Sequence, residues 1–182
     1  MGVIRVGGVH GVGKTTIIHK ALAITKIDIP ILKGSDFMAE FIGVSPEELP
    51  FQDQERRQKA RVYAYHKLQE YTIGIRDSHF CVYTDHGYEF PFDIRDKGNI
   101  VSAVLIYGSV ELILKQRQKG ARLRPLNPDL IQEQQEYEKR GAYHYAKELS
   151  IPLYEIQNIE GNDQCIRQFA EILYKYFQSD KE

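Results

Sequence analysis

The short apolar run Val3-Ile4-Arg5-Val6 stops at glycine, and beyond it Ile17, Ile18, Ala21 and Leu22 recur at helical spacing to about Thr25. The pair predicts a strand, a Gly-rich turn and a helix. Asp28 to Gly34 reads as a second short strand closed by glycine, and Ser35 or Asp36 can cap a short helix through Glu40 and Phe41. After the turn-rich stretch Gly43 to Pro50, with Ser45 as a cap, a long helix is predicted from Gln52 to about Tyr71, its apolar face made by Ala60, Ala64, Leu68 and Tyr71. His79 to Asp85 is rich in β-formers and reads as the third strand. Ile100 to Tyr107 is nearly all apolar, as a strand covered on both faces would be. A helix from Val110 to about Gln118 comes next. Asn127 and Pro128 then supply an N-cap and a first-turn proline for a long helix to about Leu149. Ile151 to Asn158 is the last strand, and Ile166, Phe169, Ile172, Leu173 and Tyr176 lie on one face of a final helix. Five strands alternating with helices predict a parallel sheet with helices on both faces, a three-layer α/β fold.

With 182 residues the chain fits one domain with a sizeable core and inserted flaps. Its 24 basic and 25 acidic residues give a net charge of −1, so no global field favours a nucleic-acid or membrane surface. No apolar stretch approaches the roughly 20 residues of a membrane span, and no secretory leader pattern opens the chain. Cys81 and Cys165 are far apart and without metal-ligand spacing, as buried thiols in a reducing compartment would be. The expectation is a soluble cytoplasmic protein whose partners are small molecules.

The chemistry concentrates in Gly8-Val9-His10-Gly11-Val12-Gly13-Lys14-Thr15, followed by Thr16, which reads G-x-x-x-x-G-K-[ST] between the first strand and the first helix. Wrapping backbone around a polyphosphate needs residues that tolerate positive φ and turn N–H groups inward, and the helix that follows offers its free N–H groups and positive end to the anion. Lys14 is expected on the β and γ phosphates, and the Thr15 hydroxyl on Mg²⁺. An acid at the end of a neighbouring strand would serve the same Mg²⁺, which singles out Asp85, with His86 beside it and the aromatic loop Gly87 to Phe92 beyond. Thr25-Lys26-Ile27-Asp28 spells a guanine-reading tetrapeptide, but its place between the first helix and second strand argues against that use.

Two clusters of cations stand out in this near-neutral chain. Arg57 and Arg61 are one turn apart and leave one helix face, either as a solvated face pairing with Asp53 and Glu55 or as a phosphate clamp. Arg117, Lys119, Arg122 and Arg124 crowd a loop between two helices that holds no acid, and phosphate contact is the favoured reading there.

Taken together, the chain from Ile4 to about Phe177 resembles the archaeal-type adenylate kinases and related nucleoside monophosphate kinases. The likeness rests on the loop Gly8 to Thr16, Asp36-Phe37-Met38 with the Arg-bearing helix after it, Thr84-Asp85-His86, Arg117 to Arg124, Arg140, and Asn158 to Gly161. It implies one kinase domain with a monophosphate-binding flap over about residues 35–75 and an Arg-rich lid over about 117–128. It also implies Asp36 and Arg57 or Arg61 on the acceptor, Arg122 and Arg124 closing over the transferring group, Arg140 joining them, and Mg²⁺ with ATP as donor. Such kinases usually carry Asp-Thr-His where this chain has Thr84-Asp85-His86, and Arg-Asp where it has Arg124-Pro125. The expected activity is transfer of the γ-phosphoryl group of Mg·ATP to a nucleoside monophosphate, AMP first. A hydroxyl acceptor would instead want Asp36 or Asp85 as base, and a nucleotide-dependent switch or ATPase is the alternative of another class.

Overall fold

Along strand β1 (Val3–Gly7), Ile4 and Val6 turn to one side of a sheet while Val3 and Arg5 turn to the other. The structure, a computed structural model, describes residues 2–84, 87–90, 94–120 and 124–178. After β1 come helix α1 (Lys14–Thr25), strand β2 (Ile31–Lys33), helices α2 (Gly34–Ile42) and α3 (Gln54–Gln69), and strand β3 (Gly74–Asp77). The chain continues through strands β4 (Val82–Thr84), β5 (Gly87–Glu89) and β6 (Ile100–Gly108), then helices α4 (Val110–Lys119) and α5 (Pro128–Leu149). Strand β7 (Leu153–Asn158) and helix α6 (Gln164–Phe177) complete the order. Five strands form one parallel sheet in the order β2-β3-β1-β6-β7, and β4 and β5 make a separate antiparallel pair.

Two apolar layers sandwich the sheet, as predicted. Ile4, Val6, Val104 and Ile106 pack against Ile17 and Ile18 of α1 and Phe169 and Leu173 of α6. Val3, Ala103 and Leu105 meet Leu68 of α3 and Ala142, Tyr145 and Leu149 of α5 on the opposite side. A third, smaller cluster of Ala39, Ile42, Leu49 and Ala60 holds α2 against α3. The cap of α5 falls where the sequence places it, the Asn127 carboxamide oxygen accepting from the Leu130 N–H at 3.2 Å, and α4 is capped by the Ser109 hydroxyl, which accepts from the Leu112 N–H at 3.2 Å. Helix α2, by contrast, starts one residue before Ser35, and Lys33 gives it no side-chain cap. No helix among the described residues is long and apolar enough to cross a membrane.

One sheet strand differs from the reading of the sequence. The third strand of the sheet is Gly74–Asp77, while Val82–Thr84, inside the stretch expected there, folds back on Gly87–Glu89. Gly74–Asp77 carries two charges in four residues, which disguises it. Arg76 is nonetheless buried because Asp96, itself buried, accepts from its Nη1 at 2.9 Å, and the Tyr145 hydroxyl donates to the same carboxylate at 2.6 Å. Val6 pairs with Asp77 in register, so the acid stands beside the start of the Gly-rich loop. Asp85 and His86, to which the sequence assigns that place, lie outside the described residues.

Candidate active site

Strand β1 sits inside the sheet between β3 and β6, and its carboxyl end opens into the loop before α1. Parallel α/β sheets place ligands at this edge. Gly8, Gly11 and Gly13 have φ of 143°, 88° and 97°. At Gly8 a side chain is excluded twice, by its φ and because a Cβ would fall 2.2 Å from the Ile106 carbonyl oxygen. The loop is held by residues from far along the chain. Asn158 Nδ2 donates to the Val12 carbonyl at 2.8 Å, and Arg117 Nε donates to the His10 carbonyl at 3.0 Å. Lys14 is buried, and its Nζ donates to the Gly8 carbonyl at 2.5 Å and the Val9 carbonyl at 3.4 Å. Burial lowers the Lys14 pKa, and the carboxylates of Asp77 and Glu138 push it back up.

Thr15 and Thr16 are exposed at the first turn of α1 and line a cavity of about 220 Å³ with Gly11, Gly13 and Lys14. The Thr15 hydroxyl donates to Asp77 Oδ2 at 3.1 Å. Asp77 therefore takes up the position beside the loop that the sequence reading gave to Asp85. The residues that follow are Ser78 and His79, so this strand end reads Asp-Ser-His, one hydroxyl residue away from the Asp-Thr-His expected of similar kinases. That tripeptide was the signal available in the sequence.

A second cavity, of about 600 Å³, runs from Lys14 and Thr15 to the flap, where Lys33, Ser35, Asp36 and Glu47 line it, with Arg124 on its wall. Arg5 reaches the same cavity from β1. It is buried under Tyr145, 4.2 Å from the ring centroid, and donates to the Ser78 hydroxyl at 3.1 Å and the His79 carbonyl at 2.5 Å. His10 lines both cavities. Its outer edge is open to solvent, but the protein atoms packed round the ring, helped by the positive charges of Arg124, Lys14 and Arg117, hold its pKa far below the ordinary histidine range. The ring is neutral.

The expected arginines are distributed unevenly. Arg117 is buried, with Nη1 donating to the Pro125 carbonyl at 2.8 Å and Nη2 to Gln134 Oε1 at 2.9 Å, so it meets the loop from behind. Arg57 is half-buried on α3, and its Nε is buried with no hydrogen-bond partner. Arg61 is exposed and donates to Gln58 Oε1 at 3.3 Å, while Arg140 is exposed and lies 5.3 Å from the centre of the Tyr137 ring. Neither Arg57 nor Arg61 pairs with Asp53 or Glu55: Asp53 caps α3 through the Arg56 N–H, and Glu55 pairs with Lys59. Arg122 lies outside the described residues.

Residues the sequence did not single out complete the site. His79 Nδ1 stands 2.6 Å from Glu138 Oε1, and the other oxygen of this buried carboxylate accepts from the Phe80 N–H at 2.7 Å. Gly141 on α5 lets that helix come so close to the turn that a Cβ there would lie 2.3 Å from the Phe80 carbonyl oxygen. Burial, with Glu138 nearby, pushes the Cys81 thiol up to about 11, so it is inert.

No protein-family model matches the chain. In sequence it is 27% identical over 190 residues to the adenylate kinase of Pyrococcus abyssi and 28% identical over 191 residues to that of Pyrococcus furiosus, covering 94% of both chains in each pair. Among solved structures it is similar to the YorR protein of Bacillus subtilis in complex with phosphorylated GDP, with a TM-score of 0.60 at 16% identity over 95% of each chain. It is similar too to the shikimate kinase of Aquifex aeolicus, with a TM-score of 0.58 at 14% identity over 96% of this chain and 98% of that one. The chain thus carries the P-loop kinase fold on a sequence distantly related to the archaeal adenylate kinases.

Proposed function

We propose that the chain transfers the γ-phosphoryl group of Mg·ATP to a nucleoside monophosphate, with AMP the first candidate. The observation that carries this reading is the cavity of about 600 Å³ lined by Lys14 and Thr15 from the loop and α1, by Lys33 and Asp36 from the flap side, and by Arg124. It gives one triphosphate tail a fixed seat and leaves room opposite for a second anion. A phosphate acceptor is nucleophilic at neutral pH, so positioning and charge neutralisation are what the protein must supply. The sequence similarity to adenylate kinases favours AMP among acceptors.

In this reading Gly8 to Thr16 bind the triphosphate, with Lys14 on the β and γ phosphates, and Arg117 acts through the loop that it braces. Arg124, with Arg122 beside it in sequence, neutralises the transferring group from a lid over about residues 117–128. Asp36 and Arg57 take the acceptor within a flap over about residues 35–75, and Arg61 and Arg140, both at the surface, stay outside the site. The Thr15 hydroxyl beside the Asp77 carboxylate is a sparse set of hard oxygens, which fits Mg²⁺ completed by phosphate oxygens and water. Among the described residues no group of three or more His, Cys, Asp or Glu could hold a metal alone. The Thr15 hydroxyl, its direction fixed by Asp77, would hold Mg²⁺, which when bound would supply positive charge to the β and γ phosphates.

Mixing the protein with Mg·ATP and each nucleoside monophosphate, then separating the nucleotides, tests the proposal. ADP together with a new diphosphate is the expected result. ADP with inorganic phosphate, indifferent to acceptor, would replace the transferase with an ATPase or switch.

A further inference from the structure

Transfer between two phosphates needs no group that removes a proton, yet the site holds a pair suited to doing so. Glu138, 3% exposed on α5, accepts from the Phe80 N–H through one oxygen and stands 2.6 Å from His79 Nδ1 through the other. A carboxylate only accepts, so the proton of this contact sits on Nδ1, and the neutral tautomer that results carries its lone pair on Nε2. Nε2 has no hydrogen-bond partner among the described residues. His79 is partly exposed and lines both the 600 Å³ cavity and an adjoining pocket of about 260 Å³ bounded by Val9, Val82, Tyr88 and Gln134. Its backbone is fixed from beneath by Arg5, and its ring packs edge-on against His10, with centroids 4.2 Å apart. A histidine oriented by a buried carboxylate and open to a cavity on its other nitrogen is the arrangement that removes a proton from a hydroxyl group.

We propose that His79, aimed by Glu138, is a catalytic base, and that the chain also transfers phosphoryl groups from ATP to a hydroxyl of a compact polyhydroxylated anion. The hydroxyl oxygen forms a bond to the γ-phosphorus, its proton passes to His79 Nε2, and the bond from the γ-phosphorus to the bridging oxygen breaks to release ADP. Lys33, Arg5 and Arg124 on the cavity wall suit the anionic end of such a molecule, and Asp36 and Glu47 suit its remaining hydroxyls. The groups in contact with the imidazole are His10 from the loop and Glu138 from α5, and the charged groups that line the same cavity are Arg5, Lys14, Lys33, Asp36, Glu47, Asp77 and Arg124. The assignment rests on the donor half of the proposed function, Mg·ATP on the loop, and not on the monophosphate half.

Sugar acids and sugar phosphates share the chemistry, so the test uses gluconate and glycerate in one arm and ribose 5-phosphate in another, with AMP in a third. Each is incubated with Mg·ATP, and phosphate monoesters are resolved from diphosphates. The expected result is a monoester from at least one hydroxyl probe. His79→Gln, which keeps a donor for Glu138 but cannot take the proton, lowers its kcat at least about 100-fold with KM within about threefold. Glu138→Gln, which acts through His79, lowers kcat by roughly tenfold with KM held likewise. A thermal shift on adding Mg·ATP shows that each variant is folded and binds donor. No monoester from any probe overturns the proposal, as does a His79→Gln rate within threefold of the parent. Diphosphate from AMP without any monoester would retain the monophosphate kinase and remove the base; a His79-dependent monoester with AMP inert would do the reverse.

Discussion

The two ends of the cavity are built differently. At the loop end Val12 is fixed by Asn158, His10 by Arg117 and Thr15 by Asp77, all from far along the chain, and Gly8 by Lys14 within the loop itself. At the acceptor end α2 and α3 are joined by a small apolar cluster of their own, Arg61 and Asp36 are exposed, and Arg57 leaves its buried Nε unpaired. Fixed dipoles and charges cost no reorganisation when a polyphosphate arrives, whereas an unpaired buried donor carries an uncompensated desolvation cost. Under the proposed function, the donor seat is built in advance and the opposite wall is left for the acceptor to complete.

Substitutions break this contrast in graded steps. Lys14→Ala should lower turnover with the best acceptor at least about 100-fold, and an unchanged rate would remove Lys14 from the phosphates. Asp77→Ala, which frees the Thr15 hydroxyl, should cost roughly 10- to 100-fold and raise the Mg²⁺ concentration needed for half-maximal rate. If Mg²⁺ dependence does not move, Asp77 serves the fold alone. Arg124→Ala should reduce kcat by about tenfold or more while KM for ATP stays within about threefold, the mark of a contact made in the transition state. For stability, Arg117→Met strands three protein acceptors and should cost about 3 kcal/mol, seen as a Tm lower by roughly 6–12 °C. Smallest of all, Arg61→Ala and Arg140→Ala should leave turnover within about threefold, since both side chains lie at the surface. A tenfold loss in either would mean that the flap or lid brings it inward during the cycle.

The same contrast explains what was legible in the sequence. The loop can be read because its determinants, from Gly8 to Thr16, are contiguous and lie between an apolar strand and an amphipathic helix. Strand β6 and helices α1, α5 and α6 follow periodicity, and their bounds fall close to the reading. Strand β3 does not, because Arg76 and Asp77 break its apolar pattern and the compensating Asp96 comes 20 residues later. The neighbouring stretch from His79 is richer in β-formers and takes the assignment, which moves the loop-side acid from Asp77 to Asp85. Arg57 and Arg61 cannot be ranked from spacing, because residues one turn apart share a face and only the packing of α3 on α2 decides how deep each lies. The His79–Glu138 pair joins residues 59 apart, and no local pattern announces it.

The cluster of Ala39, Ile42, Leu49 and Ala60 that ties α2 to α3 shares no residue with the two layers that clamp the sheet. Alterations among Ala39, Ile42, Leu49 and Ala60 can therefore reshape the region that meets the incoming acceptor while the nucleotide seat and the bulk of the stabilising interior stay intact. Under the proposed function, acceptor choice is then the exchangeable component of this chain, open to gradual change at little risk to folding.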